Sequence, residues 1–216
     1  MNGKYCGLRG MSRLAGLAVL LLGPASAWSG EISGTISFEK KAPVVGLIYL
    51  PGDEGLVGKD GPKLDQKDQR FTKPLVVGAR GSKVTFKNSD TIAHNVYAED
   101  TKAGANFDIG LAPPGSEHET DIGWKEGMVV QVGCKIHPKM RAWVANISSR
   151  FHQVLEFEKG IKTYDFAFEA PGNLKEVRVW LPRYDPVMVE LAVGEEKTVD
   201  LMKKGKKYGT LLVKRG

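Results

Sequence analysis

The stretch that decides the fold is residues 128–147, MVVQVGCKIHPKMRAWVANI, in which two apolar runs enclose a polar loop. The runs 128–134 and 140–147 have the length and the apolar character of β-strands. The loop brings a thiol, an imidazole and a thioether within seven residues, in Cys134, His137 and Met140. This stretch therefore predicts a strand–loop–strand unit that carries chemistry in its loop.

Short alternating apolar runs continue along the chain in both directions, separated by turns rich in Gly, Pro and Asn. No long segment has helical periodicity, so the sequence predicts an all-β protein of antiparallel sandwich type. Two polar stretches, 52–70 and 99–116, are predicted to be long loops. The other expected strands are 32–38, 44–50, 74–77, 83–87, 94–97, 117–122, 154–157, 164–168, 177–181, 187–191 and 197–201.

A change of composition after residue 147 predicts two units. We expect a first sandwich over residues 28–148 and a small β-rich C-terminal domain over residues 149–216. About 65 residues fold alone only marginally, so the second unit is expected to pack on the first. The chain ends in a basic segment, for which a solvated tail is favoured and docking of an acidic partner is the alternative. Its charges are Lys203, Lys204, Lys206, Lys207, Lys214 and Arg215.

The N-terminus has the three parts of a secretory signal peptide. Basic residues precede an apolar run over residues 14–22, and Ala-Ser-Ala follows at residues 25–27. The run is too short to cross a bilayer core of roughly 30 Å. We therefore predict a cleavable signal over residues 1–27, a periplasmic or secreted mature protein, and no integral membrane span.

The predicted mature chain has one cysteine and a modest charge. The signal contains Cys6 and three of the 31 basic residues, so 28 basic and 25 acidic residues remain. The resulting net charge of +3, compared with +6 for the whole chain, argues against a dedicated nucleic-acid binder. Cys134 cannot form an intramolecular disulfide, and a lone thiol in an oxidising compartment is expected to be buried or bound to metal.

A metal site is the chemistry that uses all three side chains of the loop. Zinc prefers Cys and His in a closed tetrahedron without Met. Copper centres for electron transfer take two His and one Cys in a trigonal plane, with a weak axial Met. Taken singly, a buried Cys, His or Met is more often a packing residue. Together and in this order, they favour a copper site whose ligands are His94, Cys134, His137 and Met140.

The same residues resemble those of the cupredoxins, the family of small blue copper proteins. The spacing Cys134-x2-His137-x2-Met140, with Pro138 after the histidine, is similar to the short ligand loop of amicyanin-type members. The strand and turn of residues 81–90, GSKVTFKNSD, resemble the segment that leads to the first ligand in such domains. The two-unit layout also resembles bacterial exported proteins of cupredoxin-like or methylamine-utilisation type, in which residues 177–182, VRVWLP, match a recurrent strand.

The resemblance implies a Greek-key β-sandwich with one type 1 copper per chain. His94 and His137 would bind through imidazole nitrogen, Cys134 through thiolate, and Met140 as a long axial ligand. Asn95 would support the site, with its side chain tied to the Cys134 loop and its backbone donating to the sulfur. Lys135 and Ile136 depart from the residues common in the family, which puts the Asn95 contact in doubt and adds a positive charge beside the site.

The resulting functional prediction is a carrier of single electrons between redox partner proteins, whose identity the sequence does not give. A copper-binding protein for delivery, storage or sensing is the alternative, and an interaction protein with structural copper is a third. A second, catalytic copper would need further histidines in His-x-His patterns, and the leftover His118 and His152 do not form one. No catalytic triad or paired-carboxylate arrangement stands out either, so we expect no enzyme.

Overall fold

The computed structural model describes residues 30–216; the predicted signal peptide, with Cys6, lies outside the described residues. The described chain contains seventeen strands and no helix. The strands are β1 (Glu31–Phe38), β2 (Val45–Tyr49), β3 (Lys63–Lys67), β4 (Arg70–Phe71), β5 (Leu75–Gly78), β6 (Lys83–Asn88), β7 (His94–Asp100), β8 (Ala105–Ala112), β9 (Glu117–Asp121), β10 (Val129–Gly133), β11 (Arg141–Asn146), β12 (His152–Glu156), β13 (Thr163–Glu169), β14 (Glu176–Trp180), β15 (Val187–Glu190), β16 (Glu196–Lys203) and β17 (Lys206–Arg215). The all-β prediction is confirmed.

The strands form four sheets that pack as two sandwiches. In the first sandwich, sheet β5-β11-β10-β7-β8 faces sheet β4-β3-β6-β9. Their shared core consists of Leu64, Val84, Phe86, Val96, Val130, Val132 and Val144, among others. All described pairings within these two sheets are antiparallel except β5–β11 and β3–β6. Alternation of inward apolar and outward polar residues makes this packing possible.

In the second sandwich, sheet β13-β1-β17-β16 faces sheet β12-β2-β14-β15. The strands β1 and β2, which were expected in the first unit, hydrogen-bond to strands of the C-terminal unit instead. A C-terminal unit without them would lack a central strand in each sheet, which explains the recruitment. The domain boundary near residue 148 stays a prediction, but the sheets of the second sandwich contain strands from both sides of this boundary.

Strand β2 also joins the two sandwiches. Every one of its residues is buried, so both of its faces are covered. Ile48 points into the core of the second sandwich, while Leu47 packs with Leu75 and Ile147 of the first. This alternation follows the two-residue period of a strand. The second unit therefore packs on the first, and β2 lies in the middle of the contact.

Three segments differ from expectation. The predicted loop 52–70 contains β3 and the start of β4, and the predicted loop 99–116 contains β8. The predicted basic tail is largely β17, which lies between β1 and β16. Arg215 is buried there and donates to the carbonyl oxygens of Leu174 and of Pro171. The sequence analysis missed all three strands because they contain many charged residues. A strand can carry such residues and still pair in a sheet, because its two faces need not both be apolar.

Candidate metal centre

Two strands bring the predicted ligands together. β7 begins at His94, and β10 ends at Gly133, one residue before Cys134. These strands pair through Gly133 and Tyr97, so the start of β7 lies beside the end of β10. The loop after β10 then turns back into β11. Residues some forty positions apart in sequence thus share one end of the first sandwich.

The three strong donors form a compact cluster. The ligand atoms of His94, Cys134 and His137 all lie within 4.8 Å of one another. Nδ1 of His94 is 2.9 Å from Nδ1 of His137, which in turn is 3.6 Å from Sγ of Cys134. His94 and Cys134 are buried, and His137 is half-buried. Among residues 30–216 this is the one group of three His, Cys, Asp or Glu side chains close enough to share a metal ion.

These separations fit a metal with one sulfur and two nitrogen ligands. With bonds of about 2.0 Å to nitrogen and about 2.3 Å to sulfur, three ligands in a plane have a sulfur–nitrogen separation of about 3.7 Å and a nitrogen–nitrogen separation of about 3.5 Å. The observed contact between Cys134 and His137 is close to that value. The two imidazoles are about half an ångström closer than metal binding needs, a shift within reach of a half-buried His137.

Met140 lies next to the cluster at the start of the following strand. Its backbone N–H donates to the carbonyl oxygen of His137 at 2.8 Å, which closes the turn containing Pro138. The Met140 side chain is 2% exposed. His137 and Met140 line the same groove. Its assignment as a ligand stays a prediction.

Asn95 makes both of the contacts that the resemblance implied. Its backbone N–H donates to Sγ of Cys134 at 3.4 Å. Its side-chain oxygen accepts from the backbone N–H of Lys135 at 2.6 Å. The unusual side chain at position 135 does not disturb this contact, since the donor is the peptide group. Asn95 therefore fastens β7 to the loop that carries the thiol.

The positive charge beside the site is paired. Nζ of Lys135 lies 2.8 Å from Oδ2 of Asp108, on β8. The other carboxylate oxygen of Asp108 accepts from Nδ2 of Asn95 at 2.7 Å. The ammonium group of Lys135 lowers the pKa of Asp108, and the carboxylate raises the pKa of Lys135. Asp108 thus links Lys135 to Asn95 and offsets the charge that the sequence placed near the metal ligands.

One supporting residue, Asp90, was missed by the sequence reasoning. Its Oδ2 lies 2.9 Å from Nε2 of His94. Hydrogen bonds from the backbone N–H of Gln69, the largest effect, and from His94 lower the pKa of Asp90 to about 2. An ionised carboxylate only accepts hydrogen bonds, so the proton of a neutral His94 ring lies on Nε2 and its lone pair on Nδ1. Asp90 thereby turns the metal-binding nitrogen toward Cys134 and His137.

A two-residue hairpin positions Asp90. The turn between β3 and β4 consists of Asp68 and Gln69, with φ angles of 52° and 54°. Two consecutive residues in this left-handed region are the mark of the type I′ turn that joins short hairpins. The amide of Gln69 consequently points at Asp90, 2.8 Å from Oδ2. A search for a carboxylate close to His94 in sequence could have found Asp90. The hairpin that orients Asp90 was harder to predict, because its turn contains no Gly, the residue that usually marks a two-residue hairpin.

His137 opens onto the surface. It lines a groove of 870 Å³ together with Ile136, Pro138 and Phe71. Ile136 is 52% exposed. The His137 imidazole thus belongs to the donor cluster and also borders a surface groove.

The two remaining histidines lie away from the cluster. His118 lies on β9 opposite Phe86. Nδ1 of His152 donates a hydrogen bond to the carbonyl oxygen of Ser149, 2.8 Å away, and burial lowers the pKa of His152. Neither residue joins the group around Cys134.

The chain resembles solved copper proteins over part of its length. No protein-family model and no curated protein matches it. A purple cupredoxin from Nitrosopumilus maritimus is 18% identical, with a TM-score of 0.34, over 40% of this chain and 98% of that one. Amicyanin from Paracoccus versutus is 17% identical, with a TM-score of 0.35, over 46% of this chain and 96% of that one. A copper-containing nitrite reductase from Thermus scotoductus is 17% identical, with a TM-score of 0.35, over 40% of this chain and 22% of that one.

No helix among residues 30–216 is long and apolar enough to cross a membrane.

Proposed function

We propose that this protein is an exported electron carrier with a single type 1 copper ion held by His94, Cys134, His137 and Met140. The observation that carries the proposal is the hydrogen bond from the backbone N–H of Asn95 to the Cys134 sulfur, within a cluster of two imidazoles. A sulfur that accepts a peptide N–H and lies 3.6 Å from an imidazole nitrogen is placed as a thiolate ligand would be.

The donor set supports copper over zinc. Two imidazoles, one thiolate and an adjacent thioether form the set typical of blue copper centres, whereas structural zinc sites use four strong ligands. Copper bound there would supply a one-electron couple between Cu(I) and Cu(II). The protein's own residues hold the ligands in place beforehand: Asp90 orients His94, and Asn95 fixes the loop of Cys134. Ligands that move little on oxidation favour fast electron transfer.

The surface around His137 supports a role as a carrier. Ile136 and Pro138 line the groove beside His137 together with the basic side chains of Arg70, Lys139 and Arg141, so a partner can pack there against apolar and positively charged groups. The predicted signal peptide supports a periplasmic or secreted location. We therefore propose a carrier of single electrons.

The absorption spectrum of the copper-loaded, oxidised protein tests this proposal. We expect an intense visible band from charge transfer between thiolate and Cu(II), which Cys134→Ser abolishes. His118→Ala serves as the matched control, because it removes a histidine that lies outside the cluster, and it should leave the band unchanged. A colourless Cu(II) protein would refute the proposal.

Voltammetry separates the carrier from the alternative. A carrier gives a reversible one-electron wave without loss of copper. A protein for copper delivery or storage releases the metal to a Cu(I) chelator on reduction, and that result would favour the alternative over the carrier.

A further inference from the structure

A second concave site lies between the two sandwiches. It is a cleft of 590 Å³, bordered on one side by β10 and β11 and on the other by the segment 40–44 and the end of β14. None of the four candidate metal ligands lines it. Its volume is in the range of small-molecule sites, roughly 300–1,000 Å³, and such sites are frequent between packed units.

One wall of the cleft is aromatic. Trp143 of the first sandwich and Trp180 of the second meet edge to face, with ring centroids 5.8 Å apart and planes at 65°. Both rings are half-buried and line the cleft. Because each sandwich contributes one ring, the wall exists only when the two units are packed together. Such a pair offers a surface on which a flat apolar group can pack.

The cleft is strongly basic. Its lining contains one carboxylate, Asp100, and five basic side chains: Lys40, Lys41, Arg141, Arg183 and Lys203. Asp100 accepts a hydrogen bond from the backbone N–H of Ala103. Within residues 30–216, no ion pair involves any of the five basic side chains. Several unpaired cations around a concave surface concentrate anions there.

The polar end of the cleft has a donor without a partner. The hydroxyl of Tyr184 is buried and makes no hydrogen bond to any described residue. Burial raises the pKa of Tyr184, so the hydroxyl stays protonated at neutral pH. Lys203 lies beside it, with Nζ 5.7 Å from the Tyr184 ring centroid and 5.2 Å from that of Tyr208. Buried hydroxyl groups normally have hydrogen-bond partners, so the Tyr184 hydroxyl is an exception in a residue that lines the cleft.

Arg183, next to Tyr184, has a strained backbone. Its φ angle is 69°, in the left-handed region that non-glycine residues rarely adopt. Arg183 is the third residue of the turn 181–184, which the hydrogen bond from the Tyr184 N–H to the Leu181 carbonyl oxygen closes. This turn places Arg183 in the lining of the cleft.

We propose that this cleft binds a small organic anion with a planar aromatic body. The ring would pack on Trp143 and Trp180, and the anionic group would be held by Arg183 and Lys203. An acidic segment of a partner protein matches the charge but leaves the aromatic wall in water. The site is independent of copper, and therefore of the proposed electron carrier.

Calorimetric titration with 2-naphthoate tests the proposal on the full mature chain, with EDTA present so that no metal binds the carboxylate. The variants are Arg183→Gly and Lys203→Met. Lys204→Gly is the matched control, because Lys204 also has a positive φ, of 50°, yet does not line the cleft. Glycine adopts positive φ without strain, so neither glycine variant should fail to fold.

We expect 2-naphthoate to bind, and each cleft variant to weaken binding about tenfold, the effect of losing one charged contact. The Lys204→Gly protein should bind within twofold of the wild type. The uncharged 2-naphthalenemethanol should bind at least tenfold more weakly than the acid. No binding of 2-naphthoate, or equal binding by Arg183→Gly, Lys203→Met and Lys204→Gly, would overturn the proposal. Tighter binding of hexaglutamate than of 2-naphthoate would overturn it in favour of an acidic protein segment.

Discussion

Replacement of Asp90 with asparagine tests the geometry of the metal centre most directly. In the native protein Oδ2 accepts hydrogen bonds from Gln69 and from His94, at 2.8 and 2.9 Å, and Oδ1 accepts one from Thr91 at 2.7 Å. An asparagine oxygen in the place of Oδ2 can keep the first two contacts. Its NH2 group then faces the N–H of Thr91 and loses that bond.

The expected loss follows from these contacts. The bond between position 90 and His94 changes from a charged to a neutral one, which roughly halves its strength. We therefore expect Asp90→Asn to lower copper affinity about tenfold, at the lower end of the 10–100-fold typical of residues that orient metal ligands.

Competition with a copper chelator of known affinity measures this effect. Asp65→Asn is the matched control, since Asp65 also accepts backbone hydrogen bonds, from Gln66 and Ser89, without touching His94. Equal copper affinity of the Asp90→Asn and Asp65→Asn proteins would refute the orienting role of Asp90.

Three further predictions concern stability and are checked by urea unfolding. Leu47 lies between the sandwiches, so Leu47→Ala should lower the free energy of unfolding by about 2–5 kcal/mol. The control Leu111→Ala, at a side chain that is 65% exposed, should lower it by less than about 1 kcal/mol. Equal losses in the two variants would contradict the buried contact of Leu47. Hydrogen bonds from Arg150 lower the pKa of Asp53 in the folded protein below the ordinary value of 3.8. The stabilisation from ionised Asp53 is therefore complete above pH 3.8 and disappears as the pH falls through the pKa of the folded state. The wild type should therefore exceed Asp53→Asn in stability at pH 6 and lose that advantage progressively as the pH falls below 3.8, and a difference independent of pH would contradict the assignment. Arg215→Met leaves buried carbonyl groups without their donor and should cost about 2–4 kcal/mol; a loss below about 0.5 kcal/mol would show that Arg215 is not required.

The candidate metal ligands could be identified in the sequence because their chemistry is local. Cys134, His137 and Met140 lie in one loop, and few kinds of site use a thiol, an imidazole and a thioether together. The role of Asn95 followed from the resemblance to the cupredoxins, and both of the contacts that it implied are present. Such residues are recognised by type and spacing before any distance is known.

The residues around the ligands could not be predicted in the same way. Asp90 is near His94 in sequence, but its orientation depends on the hairpin of β3 and β4, which the sequence analysis took for a loop. Asp108 lies on β8, another strand taken for a loop, and it neutralises Lys135. Both contacts depend on strands that contain many polar residues and were therefore predicted to be loops.

The sequence by itself determined the class of fold, the set of donor atoms and the loop that carries three of them, because residue periodicity and ligand chemistry act over short distances. Only the tertiary structure decided which sandwich contains β1 and β2, that β17 is an internal strand, and that a basic, aromatic cleft lies between the units. These features depend on pairing between segments that lie far apart in the chain. Such pairing is selected by the burial of whole sheet faces, and no single stretch of sequence contains that information.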